Sequence, residues 1–461
     1  MGEMDLKIRV EAPFVVYPAE AKPARSLFLS NIDQSLMAPV GTLSFFSNSK
    51  MSFEEVVESY SKALSEMLVS YDFIAGRLRL NEEEDRLEID CNGAGALFAV
   101  ASSELTMEQL GDITTPNLAF KKLLLHDHIA LSHSHHHLPL FTLQATRFRC
   151  GSFVVGAALN HCILDGVACY LMMMNLASIA RGEGLSVTPY LDRTLLKARV
   201  PPQIDYEHHE YSKFADLPVH ALPASFSARG GKDTPISLLP DPTLTVNANV
   251  LKLFPVSGET LDRLKEKGRE KGMKCTSFEV VTALVWKARA AAVAEEAEEE
   301  EMMSTVLFPV DTRSKMKPAI PREYAGNMVF PGYARASGKE LREELAVWGA
   351  VEKVQAGLRR VNDGYARSAV DWLEVHKGIP CAVRSFSVVA WWRLGMEEVE
   401  FPWGKPMHFG PVLFSHTQEL VLLLPQTNHC EYGLNIAIAL HPHQLDKFHH
   451  YLQLFLNSAA K

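Results

Sequence analysis

What the 461-residue chain does not contain narrows it first. Its seven cysteines (91, 150, 162, 169, 275, 381 and 430) never fall in CxxC spacing. An odd, scattered set of thiols argues against a disulfide framework or a zinc site and fits reduced cysteines in the cytoplasm. No apolar run reaches the roughly 18–20 residues that a membrane span needs, and Asn175 interrupts the longest candidate. The opening MGEMDLKIRV is charged and has no apolar signal core, so secretion is not expected. Positive charge is not in excess either. A net charge of -9 argues against general nucleic-acid binding, and an anionic ligand would need a local basic patch. Neither a GxSxG elbow nor a GK[ST] phosphate loop occurs. Gly93 and Gly95 suggest a dinucleotide fingerprint, but Phe98 takes the third position and no helix opens there, so the stretch reads as a loop.

What is present is a soluble globular composition, 47% hydrophobic and 22% charged. The length implies two domains of roughly 200 residues each. The most informative stretch is Ser152–Arg181. Phe153–Leu159 carries no charge, as a strand covered on both faces would. His161 follows it, then Asp165-Gly166, which reads as turn chemistry, then a helical run to Arg181. A histidine where a buried strand ends sits where α/β proteins place their chemistry.

Along the chain, Lys7–Val16 alternates like an opening strand, and Val40–Phe46 is strand-like. Ser52 and Glu55 form a capping box before an amphipathic helix carrying Val56, Tyr60, Leu64 and Met67. Strands are expected at Arg86–Asp90 and Phe141–Phe148. Six histidines in His126–His137 and the acidic run Glu295–Glu301 read as solvated loops, and no metal site is expected. Arg199–Pro242 breaks the periodicity and reads as a crossover between 1–198 and 243–461. Beyond it, strands are predicted at Ala248–Phe254, Thr305–Val310 and Ala382–Trp391, and a hairpin at Ser415–Leu424 with Cys430–Leu440. Helices are predicted at Leu261–Lys271, Thr276–Ala292 and Lys339–Val361 and at the C-terminus, with loops at Asp311–Pro321 and Glu400–Pro411.

A histidine without an obvious nucleophile beside it is suited to taking a proton from a bound alcohol or amine, which is a poor nucleophile until deprotonated. Asp165 could orient that imidazole as a triad carboxylate does, or turn away and brace the loop through an arginine. Spacing leaves both open.

His161-Cys162-Ile163-Leu164-Asp165-Gly166 resembles the HxxxDG motif of the plant BAHD acyltransferases, and Val399–Pro406 (VEFPWGKP) resembles their DFGWG(KP) motif. LSNIDQ, YDFIAGRL, CTSFE and VDTRSKMKP with YAGN strengthen the resemblance along nearly the whole chain. It implies an α/β fold of two chloramphenicol-acetyltransferase-like domains, each a mixed β-sheet flanked by helices, with a solvent tunnel between them. Residues 375–412 would return to the N-terminal domain. Acyl-CoA is the implied co-substrate, entering from one face while the acceptor enters from the other. His161 would be the general base of a direct transfer, with no permanently bound cofactor and no metal. Asp165 would pair with Arg313, and Glu400, Trp403 and Gly404 would support the site from a distance. A cytoplasmic monomer is expected.

Two departures stand out. Glu400 and Pro402 replace the family's Asp and Gly, and proline fixes φ and removes an N–H. Val389, two residues before Trp391, stands where shikimate transferases carry a threonine hydroxyl, so backbone N–H groups or water would have to meet the oxyanion. For coenzyme A, the basic run Lys265–Lys274 leads into a helix N-terminus, and Lys271, Lys274 and Ser277 are the candidate contacts. SNIDQ and Leu191–Tyr211 look most like the clade that moves feruloyl or caffeoyl groups to ω-hydroxy fatty acids and fatty alcohols. Met37, Phe45 and Met173 could line its apolar acceptor channel, although core packing explains them as well. The alternatives are a shikimate or quinate transferase, for which Arg384 is a candidate carboxylate handle, and a non-catalytic acyl-CoA-binding relative.

Overall fold

Short alternating apolar segments build two mixed sheets, and amphipathic helices cover one face of each. The computed structural model describes residues 5–125, 138–216, 249–293, 302–381, 384–413, 417, 419–426 and 433–459. The histidine tract, the acidic run and crossover residues 217–242 lie outside them.

With elements numbered in chain order, the first sheet contains β1 (Ile8–Val10), β2 (Phe14–Val16), β4 (Pro39–Phe46), β7 (Ala96–Ser103), β8 (Phe141–Phe148), β9 (Phe153–Asn160) and β16 (His408–Val412). Its order is β1-β7-β8-β9-β4-β16, with β2 also on β7. The β7–β8 pair is parallel and the other pairs are antiparallel. The second sheet contains β11 (Val250–Val256), β12 (Met303–Asp311), β13 (Val329–Ser337), β15 (Ser385–Ala390), β17 (Leu420–Pro425) and β18 (Leu434–Leu440). It is ordered β11-β18-β17-β15-β12-β13, with β12, β15 and β17 parallel.

Helix α2 (Phe53–Ser70) starts at the expected box, Ser52 Oγ accepting from the Glu55 N–H and the Glu55 carboxylate accepting from the Ser52 N–H. Its Tyr60 and Leu64, with Met172 and Leu176 of α3 (Gly166–Ala180), cover Phe153 and Val155 of β9. Leu43, Phe45 and Val154 pack on the other face, so β9 is buried on both sides as its composition requires. In the second sheet, Phe386 and Val388 point under α5 (Ser277–Val293) and α6 (Val347–Arg360), into a core containing Trp286 and Val351. Val389, one residue on, packs with Leu422 and Leu424 on the opposite face, the period-2 alternation of a strand.

Several expectations need correction. Lys7–Val16 forms two short strands rather than one. The predicted helix Lys339–Val361 is a π-helical turn, Glu340–Glu344, followed by α6, because Leu345 leaves helical backbone geometry. Sequence reading passed over α1 (Asn31–Ser35), β13 and α7 (Asp363–His376). Of the return segment 375–412, β15 lies in the second sheet, paired with β12 and β17, and only β16 crosses to the first. Thus the end of the expected 400–411 loop is a strand. The first part of the crossover is tied to α7, with Asp371 accepting from Arg199 and the Gln203 N–H, and His208 bridging Glu210 and Ser368.

His408 of β16 is buried beside Phe45, ring centroids 5.8 Å apart. Burial pushes its imidazole down to about 4, with Asp112 opposing. Above about pH 6.5 the ring is neutral whether the chain is folded or not. Between about 6.5 and 4 only the unfolded chain takes up the proton, so stability falls as the pH falls through this window, by about 3 kcal/mol in full. Urea midpoints at pH 7 and pH 4.5 should lie further apart for the wild type than for His408→Phe.

Candidate active site

The site forms where β9 ends against the segment 312–328 that joins β12 to β13. Asp165 is the N-cap of α3, its Oδ1 accepting from the Ala168 N–H at 2.9 Å. Gly166 is therefore the first residue of the helix and not a left-handed turn residue. Space is what it supplies, since an added Cβ would lie 3.1 Å from Leu394 Cδ2. The residues between strand end and cap, His161 to Leu164, are thereby held in one short excursion.

The Asp165 carboxylate faces away from the imidazole. It pairs with Arg313 through Nη1–Oδ2 and Nη2–Oδ1 contacts of 3.0 Å each, and Oδ2 also accepts from the Met328 N–H at 2.8 Å. Both side chains are almost wholly buried. Of the two roles open from spacing, Asp165 takes the bracing one, and the expected Asp165–Arg313 contact is formed. The Arg313 pKa is raised: burial opposes the charge, but Asp165 and then Asp311 outweigh it.

A second buried pair lies beneath the same loop. Arg193 contacts Asp33 (Nη1–Oδ2 3.3 Å) and donates to the carbonyls of Cys162, Ile163 and Ala325 at 3.1, 2.5 and 2.9 Å. Asp33 further accepts from the Ser30 N–H and hydroxyl and from the Asn327 N–H and side-chain amide. Arg193, Asp33 and Asn327 received no role from the sequence, although LDRT, SNIDQ and YAGN contain them. The Ser30-x-x-Asp33 spacing was the available signal, being the capping box of α1.

His161 is half-buried. Its Nδ1 lies 3.1 Å from Asn327 Oδ1, and its backbone N–H donates to the Ala38 carbonyl at 2.8 Å. Nε2 has no partner among the described residues. The ring is thus held at Nδ1 and only partly buried.

Around this centre the remaining candidates fall into three groups. Phe401 and Trp403 stack at 4.8 Å and pack with Tyr60 and Phe46 on the α2–α3 side of the first sheet. Phe401 and Gly404 exchange both backbone hydrogen bonds, at 3.2 and 2.9 Å, making a tight turn. Pro402 occupies the turn position that proline favours, and Gly404, at φ +113°, has a backbone that needs glycine. Glu400 is exposed and engages Arg181 through its backbone carbonyl, so a longer side chain there is accommodated. Lys271 and Lys274 are exposed, whereas Ser277 is buried at the start of α5, whose N-terminus is capped by Thr276 and Glu279. Met37 and Met173 are core side chains against α2 and α3, but Phe45 is on the other face of the sheet, so the three do not line one channel. Trp391 stacks on Phe409 at 6.2 Å, and Val389 beside it presents no hydroxyl. Among the described residues, no group of three histidine, cysteine or acidic side chains could hold a metal ion.

Comparison with known proteins gives the family to which the chain belongs. The chain is 39% identical to Acyltransferase GLAUCE of Arabidopsis thaliana, over 97% of this chain and 96% of that protein. It is 32% identical to the Arabidopsis thaliana omega-hydroxypalmitate O-feruloyl transferase, over 96% and 92% of the two chains. Its fold superimposes on the crystal structure of vinorine synthase with a TM-score of 0.68 at 19% identity, covering 95% and 96% of the chains. Fold and relatives together define the class, an acyl-CoA-dependent acyltransferase. The chain belongs to the Transferase family, matched over residues 6–454, which is the BAHD family its motifs resemble.

Removing one member of a buried ion pair strands the other. Arg313→Met should destabilise the protein by about 3–5 kcal/mol in denaturant titration. Adding Asp165→Asn should recover part of that loss, because the uncompensated carboxylate is then gone.

Proposed function

We propose that the chain transfers a hydroxycinnamoyl group (feruloyl, caffeoyl or coumaroyl) from coenzyme A to the hydroxyl of an ω-hydroxy fatty acid or fatty alcohol, with His161 as general base. The observation that carries this is the placement of His161, half-buried, with Nε2 unpartnered among the described residues, on a loop fixed by two buried ion pairs. Nε2 removes the acceptor hydroxyl proton as the oxygen attacks the thioester carbonyl. The tetrahedral oxyanion collapses, the C–S bond breaks, and the departing thiolate takes the proton back from the imidazolium. No acyl-enzyme forms.

For the donor, Lys271 and Lys274 are the contacts we favour. Lys265, Lys267 and Arg269 are engaged by Asp262, Glu270 and Glu266, whereas these two make no ion pair among the described residues. Ser277 is less suited, since Thr276 and Glu279 already cap its helix and burial hides its hydroxyl. Phe278 stacks near Trp392 at 6.5 Å, which brings this helix start to the carboxyl end of β15. In open α/β sheets, ligands gather at the carboxyl ends of parallel strands. We assign the crossover at 199–242 as the join between an N-terminal domain at 1–198 and a C-terminal one at 243–461, with substrates entering a tunnel from opposite faces.

The acceptor assignment rests on chemistry and likeness. Identity to the ω-hydroxypalmitate feruloyl transferase extends over 96% of the chain. Val389 and Trp391 are partly exposed on the helix-free face of the second sheet, among Leu253, Leu422 and Leu424, a surface suited to an alkyl chain. A shikimate or quinate acceptor would need a cation for its carboxylate. Arg384 opens β15 at the end away from Trp391 and does not favour that reading.

Purified protein should turn over feruloyl-CoA with 16-hydroxyhexadecanoic acid faster than with shikimate. His161→Ala should lower kcat by about 10²–10⁴-fold, the usual worth of a positioned base. Faster transfer to shikimate would replace the acceptor assignment. Binding of acyl-CoA without turnover across a donor–acceptor panel would replace the enzyme with a binding protein.

A further inference from the structure

We infer that Asp33, acting through Asn327, fixes the tautomer of His161, making both of them positioning residues for the base assigned above. The inference rests on that assignment for its catalytic meaning, but its geometry is independent of it. An asparagine amide presents one accepting oxygen and an NH2 group with two hydrogens to donate. Which atom is which is ordinarily ambiguous and must come from the partners. Here the partners decide it. One end of the Asn327 amide lies 2.9 Å from Asp33 Oδ1 and 2.8 Å from the His161 carbonyl oxygen. An ionised carboxylate and a carbonyl can only accept, so that end must be the NH2, and both its hydrogens are used.

The other end, Oδ1, then faces His161 Nδ1 at 3.1 Å. An amide oxygen cannot donate. Nδ1 must therefore carry the proton, which leaves Nε2 of the neutral ring with its lone pair on the unpartnered side. The opposite tautomer would set two acceptors against each other with no hydrogen between them. Turning the amide over would set its oxygen against both a carboxylate and a carbonyl. Asp33 makes that reversal unfavourable, and it is itself held in place by Ser30, by Arg193 and by the Asn327 backbone N–H. Asn327 and Asp33 are fully buried, so water does not compete for these bonds.

The arrangement separates two jobs. The imidazole rests on a neutral amide, while the carboxylate that orients the amide has its charge met by Arg193. Asp165, the acidic residue nearest in sequence, takes no part in fixing the tautomer, because its oxygens are directed to Arg313 and to backbone N–H groups.

The test is a long-range proton–nitrogen spectrum of the full chain labelled with ¹⁵N in its histidine rings, with the His161 signals identified by their loss in His161→Ala. In spectra taken at a pH where the ring is neutral, Nδ1 should resonate in the protonated range and Nε2 in the unprotonated range. Asn327→Ala should move the Nε2 signal towards the protonated range and lower kcat by about 10–100-fold, by analogy with the partners that orient metal-ligating histidines. Its KM for the acyl-CoA donor should stay within about twofold. An unprotonated Nδ1 in the wild type overturns the inference without any variant having to fold. So does an Asn327→Ala protein with unchanged spectrum and kcat. If His161→Ala lowers kcat as expected while Asn327→Ala leaves kcat unchanged, the inference falls and the general base stands. If no donor–acceptor pair turns over but the spectrum responds as described, the tautomer assignment holds and the transfer reading fails.

Discussion

The Asp165–Arg313 ion pair is the contact on which the rest of the arrangement depends. Asp165 follows the strand that ends at Asn160, just before His161, and Arg313 follows β12 of the other sheet, so one bidentate contact joins the two halves of the site. Burying two charges is costly unless geometry and further hydrogen bonds answer it. Here the carboxylate also receives the N–H groups of Ala168 and Met328. Any packing that separates the sheets at this point leaves an uncompensated charge in the interior, which disfavours alternative placements of the His161 loop.

The Asp33–Arg193 pair works on the same loop from below. Its arginine spends its donors on the carbonyls of Cys162 and Ile163, backbone groups that a short excursion between strand and helix would otherwise leave unpaired. The two pairs thus hold a loop whose His161 is only partly buried while Cys162, Ile163 and Leu164 are fully covered. Rigidity here comes from satisfied polar groups together with the apolar packing of Cys162, Ile163 and Leu164, all buried in the core on the α2–α3 side of the first sheet. Reinforcement also arrives from far along the chain, since β16 completes the first sheet beside β4 and the aromatic turn before it stacks on Tyr60.

Much of the fold was readable because its signals are local. The uncharged run of β9 and the capping box before α2 each depend on neighbours within a few residues, and each element formed where that pattern lay. The π-helical turn at Glu340–Glu344 was not readable, because the helical pattern runs on through it and only backbone geometry interrupts it. The route of 375–412 was hidden for a different reason. Strands β15 and β16 carry similar apolar character, and which sheet each joins is settled by edges supplied by β12 and β4.

Asp165-Gly166 reads as a turn and is instead the N-cap and first residue of α3, but His161 could be picked out from the chain alone, because a histidine between a buried strand and a helix start is a local pattern. Direction could not. Whether the aspartate turned towards the ring or away was fixed only when Arg313 arrived beside it, 148 residues distant in sequence. The same holds for Asp33 and Asn327, 294 residues apart yet sharing hydrogen bonds. Linear order carries residue type and short-range periodicity, whereas the partner of a buried charge is chosen by the packing of whole sheets.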